Sequence, residues 1–303
     1  MINENLTSWL GHPVEDYLPG QQINPQVYYR FRVDWDTEVS VIEMMAAFTA
    51  DPSAADITGL VVGAWFGDDS GASSEEIVQL LVGARERLPK LEAIFFGDVI
   101  SEENEISWIQ QSDMSPLFAA YPGLKHFVVR GGNDLGLGSN LHLGSLKSLT
   151  VQTGGMERAT LDQALSLDLP ALERLELWLG TDGYGWTGEV SQLKPLFDDT
   201  LFPNLRHLGL RNSEVADAIA EALCAAPIVD RIDSLDLSLG TLTDKGGTAL
   251  ANCPRLKRLK DLDLHHHFMS ESVMKGLAAE FPGVNLADRQ DLDKYGPYVA
   301  IGE

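Results

Sequence analysis

Along most of the chain, apolar residues follow two alternating rhythms. Apolar pairs two residues apart recur eight times, at Leu60/Val62, Ile94/Phe96, Phe127/Val129, Leu149/Val151, Leu175/Leu177, Leu208/Leu210, Leu235/Leu237 and Leu262/Leu264. A proline often stands five residues ahead of the first member, as Pro89, Pro122, Pro170 and Pro203 do. A spacing of two puts both side chains on one face of a strand, so each pair predicts a short strand with a buried inner face. Successive pairs lie 34, 33, 22, 26, 33, 27 and 27 residues apart. Between them the rhythm lengthens to the helical period, with Leu80, Leu81, Ala84 and Leu88 in one stripe and Val215, Ile219, Leu223 and Ala226 in another. Neither piece can bury its apolar face alone. The pattern therefore predicts an α/β solenoid: stacked coils whose strands form one parallel sheet, with helices on the outside.

An open end of such a stack would expose its last apolar layer, so both ends need caps. Residues 1–50 read as the N-terminal cap, 51–275 as about eight repeats and 276–303 as the C-terminal cap. Within the first cap, Val27, Tyr29, Phe31, Val33 and Trp35 alternate with polar residues and predict an edge strand with one buried face. A helix is expected over roughly 36–50, and Val284 with Leu286 would make a last degenerate strand.

These phrases resemble the leucine-rich repeat superfamily, and the stretches TDKGGTALANCPRL and SESVMKGLAAEFP are similar to its ribonuclease-inhibitor type. More narrowly, EISWIQQSDMSPLF, VRGGND, LELWLGTDGYG, LGLRNSEVADAI and LDLHHHFMS resemble a family of bacterial cytoplasmic leucine-rich repeat proteins of unassigned activity. The resemblance implies a horseshoe with the sheet on its concave face and a binding role; it brings no reaction. One departure stands out. The usual repeat has an Asn three residues after the second apolar residue, where this chain has Trp65, Val99, Gly132, Gly154, Gly180, Ser213, Gly240 and His267. The four glycines predict sharp exits with positive φ in place of an Asn ladder.

Charge narrows the partners. With 45 acidic against 22 basic residues the formal net charge is −23, which repels phosphate backbones and anionic lipid surfaces and suits a basic protein partner. No apolar run is long enough to span a membrane, and the start MINENLTSWL lacks the basic region and apolar core of a signal peptide. Cys224 and Cys253 sit near the ends of consecutive repeat helices and read as unpaired thiols, which fits a reducing cytoplasm.

The candidate surface follows from alternation. Residues flanking each buried pair face the other way, giving a wall with Arg130, Glu176, Trp178, Arg211, Asp236, Asp263 and His265. Aromatic and Arg side chains dominate binding hot spots. The loops leaving the strands all emerge on one edge and add Asp98, Trp108, Asp134, Asp182 and Tyr184 to an acidic and aromatic rim. Arg130, Asp134, Trp178, Asp182, Tyr184, Arg211, Asp236, Asp263 and His265 are thus the expected partner-binding set, although Trp178 could instead pack under its own long loop. Catalytic motifs are weak. The glycine-rich run from Gly131 to Gly138 lacks the Lys-Ser or Lys-Thr of a phosphate loop, and no cofactor is assigned. His265, His266 and His267, following Asp261 and Asp263, form the one cluster with metal-ligand chemistry, but adjacent histidines on a strand point in opposite directions. The expectation is a noncatalytic scaffold that binds another protein. The alternatives are a metal-binding or enzymatic accessory centred on His265 to His267 and an inhibitor of a basic enzyme.

Overall fold

A computed structural model describes every residue except 36, 293 and 303. One 11-stranded sheet runs through the molecule with its strands in chain order. The strands are β1 (Ser8–Trp9), β2 (His12–Asp16), β3 (Tyr28–Phe31), β4 (Gly59–Val62), β5 (Ala93–Phe96), β6 (His126–Arg130), β7 (Ser148–Gln152), β8 (Arg174–Gly180), β9 (His207–Ser213), β10 (Ser234–Asp236) and β11 (Asp261–Asp263). Among these strands only β1 and β2 pair antiparallel with each other, and all other neighbouring strands pair parallel. Helices α1 (Val41–Ala50), α2 (Glu75–Gly83), α3 (Ser115–Ala120), α4 (Arg158–Ser166), α5 (Lys194–Phe197), α6 (Ala216–Ala225), α7 (Asp244–Ala251) and α8 (Glu271–Glu280) fall in the connections. This is an α/β solenoid.

The repeat sets the register. Leu60, Ile94, Phe127, Leu149, Leu175, Leu208, Leu235 and Leu262 stand opposite one another across β4 to β11, so the first member of every pair falls in a single row. All eight are at most 4% exposed. Burying an aliphatic side chain stabilises by about 1.5–3 kcal/mol, and a slip of one residue would turn the whole row outward.

The sheet begins inside the region read as the first cap. Tyr29 and Phe31 are buried against Tyr17 and Phe48, with ring centroids 5.1–5.9 Å apart. β3 is not an edge strand, since it lies between β2 and β4, and Trp35 is 80% exposed instead of joining Tyr29 and Phe31 in the core. α1 starts later than expected, at a capping box in which Ser40 Oγ accepts from the Glu43 N–H and Glu43 accepts from the Ser40 N–H. Beyond β11, parallel bridges join Asp263 to Asn285 and His267 to Arg289, a degenerate last coil.

The strand exits differ from the expectation drawn from glycine. Of Gly132, Gly154, Gly180 and Gly240, only Gly180 has positive φ. The left-handed residue usually stands one place earlier, at Gly131, Asn212, Leu239 and His266. Three of these carry a side chain, which hid the turn from a search for glycine.

Candidate functional site

The sheet face opposite the helices divides into two halves. Across β3 to β6 it is apolar, with Tyr28, Val61, Ala93, Phe95 and Val128 buried. The segment ahead of β1 lies over it: Leu6 packs on the cluster, and Trp9 meets Tyr28 and Phe95 edge-on at 5.8 and 5.7 Å. Beside this cover sits a buried ion cluster. Asp98 Oδ2 accepts from the Leu6 N–H at 3.1 Å and from Arg30 Nη1 at 3.0 Å, and Arg130 Nη1 stands 3.7 Å from Oδ1. Burial pushes the Arg130 guanidinium down to about 10, so it stays charged near neutral pH. Arg130 also donates to Gln152 and to the Val99 carbonyl. Two expectations need correcting here. Asp98 is fully buried and not on the rim, and Arg130, 6% exposed, is a member of the internal ion pair.

The second half, over β7 to β11, is polar. Thr150, Glu176, Gly209, Asp236 and Asp263 occupy one register row, and Trp178 stands opposite Arg211. Glu176 is the hub: it accepts from Arg174 at 2.7 Å, from Trp178 Nε1 at 2.8 Å and from Arg211 Nη1 at 2.8 Å. Burial alone would raise its pKa, but Arg211, Trp178 and Arg174 outweigh that and hold it at about 2. The Arg211 guanidinium also lies over the Trp178 ring, 5.1 Å from its centroid, donates to Ser238 Oγ and comes within 3.2 Å of Asp236 Oδ2. Asp236 goes the other way: burial raises its pKa more than Arg211 and Ser238 lower it.

The row nearer the strand entries is the accessible one. Arg174 and Asp261 are exposed; His126, Ser148, His207 and Ser234 are half-buried. A histidine-serine pair recurs in it, His126 with Ser148 at 2.8 Å and His207 with Ser234 at 2.9 Å. Burial, reinforced by Arg174, pushes His207 down to about 4.

The histidine run does not converge. His265 Nδ1 meets Asp263 at 2.8 Å, an interaction that raises the histidine pKa. Burial would raise Asp263, yet His265 and Asn285 outweigh it and hold it at about 2. His266 is buried at positive φ between Asp288 and the Tyr298 carbonyl. His267, fully buried, bonds the Leu286 carbonyl and the Met269 N–H. Each ring has a separate set of partners, and among the described residues no group of three or more His, Cys, Asp or Glu side chains is placed to hold a metal.

At the strand exits a second cover arrives. Residues 299–302 cross the ends of β8, β9 and β10, burying Trp178 to 6% exposure against Ile106 and Ile301. Trp178 is therefore covered, with Ile301 of this tail and Ile106 packed against it. Asp134 and Asp182 are exposed on the loops leaving β6 and β8, apart from the Glu176 network, and the Asp182 N–H is held by Glu214 at 2.9 Å. Tyr184 is half-buried beside the tail, where a side chain added at Gly302 would meet its ring at 3.2 Å. Arg211, Asp236, Asp263 and His265 are brought together on adjacent strands. Sequence reasoning missed Asn212, the buried residue that holds the tail. The signal was present, since Asn is the non-glycine residue most at home in the left-handed turn that a strand exit needs.

Against known structures, the chain aligns with a crystal structure of a Bacteroides fragilis protein at 28% identity and TM-score 0.83, covering 90% of this chain and 77% of that one. It also aligns with an internalin from Listeria monocytogenes at 13% identity and TM-score 0.35, covering 87% of this chain and 82% of the other. Neither family models nor curated proteins give a match. Among the described residues no helix is long and apolar enough to cross a membrane.

Proposed function

We propose that the chain is a noncatalytic scaffold that binds another protein through the polar half of the sheet face, at Arg174, His207, Arg211, Asp236, Asp261, Asp263 and His265. The observation that carries this is the Glu176 network. Its bonds fix Arg174 and Arg211 in place, so a partner can meet them without the ordering cost that flexible charged side chains impose on binding. A core does not need such an arrangement, because well-packed apolar residues of similar volume often stabilise as well. Asp134, Asp182 and Tyr184 belong to the proposed surface as its rim, and the net charge of −23 favours a basic partner. We place the chain among bacterial cytoplasmic leucine-rich repeat proteins. The alignment with the Bacteroides protein supports the bacterial part of that reading. The two thiols, each donating to a backbone carbonyl, support a reducing compartment.

The test compares two immobilised baits, the wild-type chain and an Arg174→Ser, Asp261→Ser, His265→Ser triple variant, in lysate from the source cells. A protein held by the first and lost by the second is then purified and titrated calorimetrically. The expected result is binding at least tenfold weaker to the variant, with affinity falling as salt rises. Identical captured sets from the two baits would remove this reading.

A further inference from the structure

The tail that crosses the strand exits is held in the manner of a bound peptide. Asn212 is fully buried at φ 52°, a conformation a residue with a side chain rarely takes without a local reason. Its amide accepts from the Ile301 N–H at 3.0 Å and donates to the Ile301 carbonyl at 2.5 Å, the same two bonds a neighbouring strand would make. The Leu239 carbonyl accepts from the Ala300 N–H at 2.8 Å, and Ser107 Oγ donates to the Gly302 carbonyl at 2.6 Å. With the Met1 amino group donating to the Ala300 carbonyl at 3.2 Å, five hydrogen bonds address the backbone of three residues. The Ile301 side chain is enclosed, 6% exposed between Ile106 and Trp178, and Val299 is buried to 8%. The floor is glycine where the backbone comes closest, since a Cβ on Gly154 would stand 2.6 Å from the Gly302 carbonyl oxygen. Backbone bonds for affinity with one pocket for specificity is the arrangement by which sheet edges capture extended peptides.

We propose that the groove formed by Asn212, Gly154, Ile106 and Trp178 docks an extended peptide of a partner protein carrying a branched aliphatic side chain between small residues, and that residues 299–302 occupy it in cis. The segment leading to the tail does not seal it: Leu292 is 60%, Tyr295 82% and Tyr298 49% exposed. A tethered occupant competes at an effective concentration in the millimolar range, so a peptide added in trans meets a groove that is mostly filled. The groove lies apart from the Arg174 to His265 strip and rests on the protein-binding reading only in taking a peptide as its ligand.

The probe is a fluorescein-labelled synthetic peptide with the sequence Pro-Tyr-Val-Ala-Ile-Gly, followed by fluorescence polarisation against the full chain. Ile301→Asp, which disfavours the tail, is expected to bind it at least tenfold more tightly than wild type. The same peptide with Asp in place of Ile is expected not to bind, and Asn212→Leu added to Ile301→Asp abolishes binding. A second measurement needs no variant: excess unlabelled peptide speeds hydrogen exchange at the Ala300 and Ile301 amides of the wild-type chain at least tenfold. Exchange unchanged at millimolar peptide overturns the proposal, as does a folded Ile301→Asp chain that takes up no peptide. Either result leaves the lysate comparison of the polar strip unaffected, so the two readings fail separately.

Discussion

Replacing Glu176 by Gln keeps the shape of the hub and removes its charge, which isolates the electrostatic contribution of the wall. The carboxyl is held at about 2 against an ordinary 4.5, a difference equivalent to about 3 kcal/mol. Because the folded-state pKa lies below the unfolded one, this stability is present above about pH 4.5 and is lost as pH falls towards 2. Glu176 is only 4% exposed, so solvent screening removes little of it. Near neutral pH, Glu176→Gln should therefore cost about 3 kcal/mol, and the deficit should shrink steadily below pH 4.5 as the wild-type carboxyl takes up its proton. The assay is urea unfolding followed by far-ultraviolet circular dichroism at a series of pH values. Glu92→Gln serves as the control: it touches a surface pair with Lys125 at 2.7 Å whose members are 44% and 40% exposed, so it should change stability by less than about 1 kcal/mol. A Glu176→Gln deficit that stays flat from neutral pH to about pH 3, or one no larger than that of Glu92→Gln, would refute the assignment of Glu176 as the hub.

Asp98→Ala leaves Arg30 and Arg130 without their shared counter-charge inside the structure, so a loss of about 3–5 kcal/mol is expected by the same unfolding assay; a loss under about 1 kcal/mol would show that the cluster is hydrated and not internal. The histidines should separate in an NMR titration, with His265 protonating above the ordinary 6.5 and His207 near 4. The signs oppose: the His265 contribution is complete below about 6.5 and lost as pH rises through its folded value, whereas that of His207 is complete above about 6.5 and lost as pH falls towards 4. Coincident titrations would contradict both environments.

What the sequence revealed and what it hid divide along a physical line. The eight strand pairs were legible because each buries its side chains against the next copy of the same phrase, so the period itself carries the register. The wall positions of Glu176, Arg211, Asp236 and Asp263 followed from alternation alone. The burial of Glu176 and Asp236 did not. Trp178 and Arg130 occupy the strand positions that alternation assigns, but whether such a position meets solvent depends on what crosses it, and the covers come from the two ends of the chain. Ile301 bonds Asn212 across 89 residues, and the Met1 amino nitrogen bonds the Ala300 carbonyl across 299. No repeat encodes those contacts, so no periodicity announces them. The exits misled for another reason: a left-handed turn can be made by Asn212, Leu239 or His266 when the neighbouring coil fixes it, and glycine is then not required.

The missing Asn ladder leaves the question of what ties the coils together, and the strand entries answer it. The Thr58 carbonyl accepts from both the Glu92 and Ala93 N–H groups, and the Glu92 carbonyl from both Lys125 and His126. The same fork repeats at Lys125, Lys147, Glu173, Arg206 and Asp233, each carbonyl accepting two N–H groups from the coil that follows. Every link uses main-chain atoms, so it survives any side chain except proline at a donor position and works whether the coils are 22 or 34 residues apart. The side chains around those sites carry both signs and pair across coils, with Lys125 on Glu92, Lys147 on Glu173 and Lys260 on Asp233. Exposed pairs of this kind add little to stability. A backbone ladder at the entries thus relieves the exits of a structural duty, and it is at the exits that Asn212, Trp178 and the crossing tail are found.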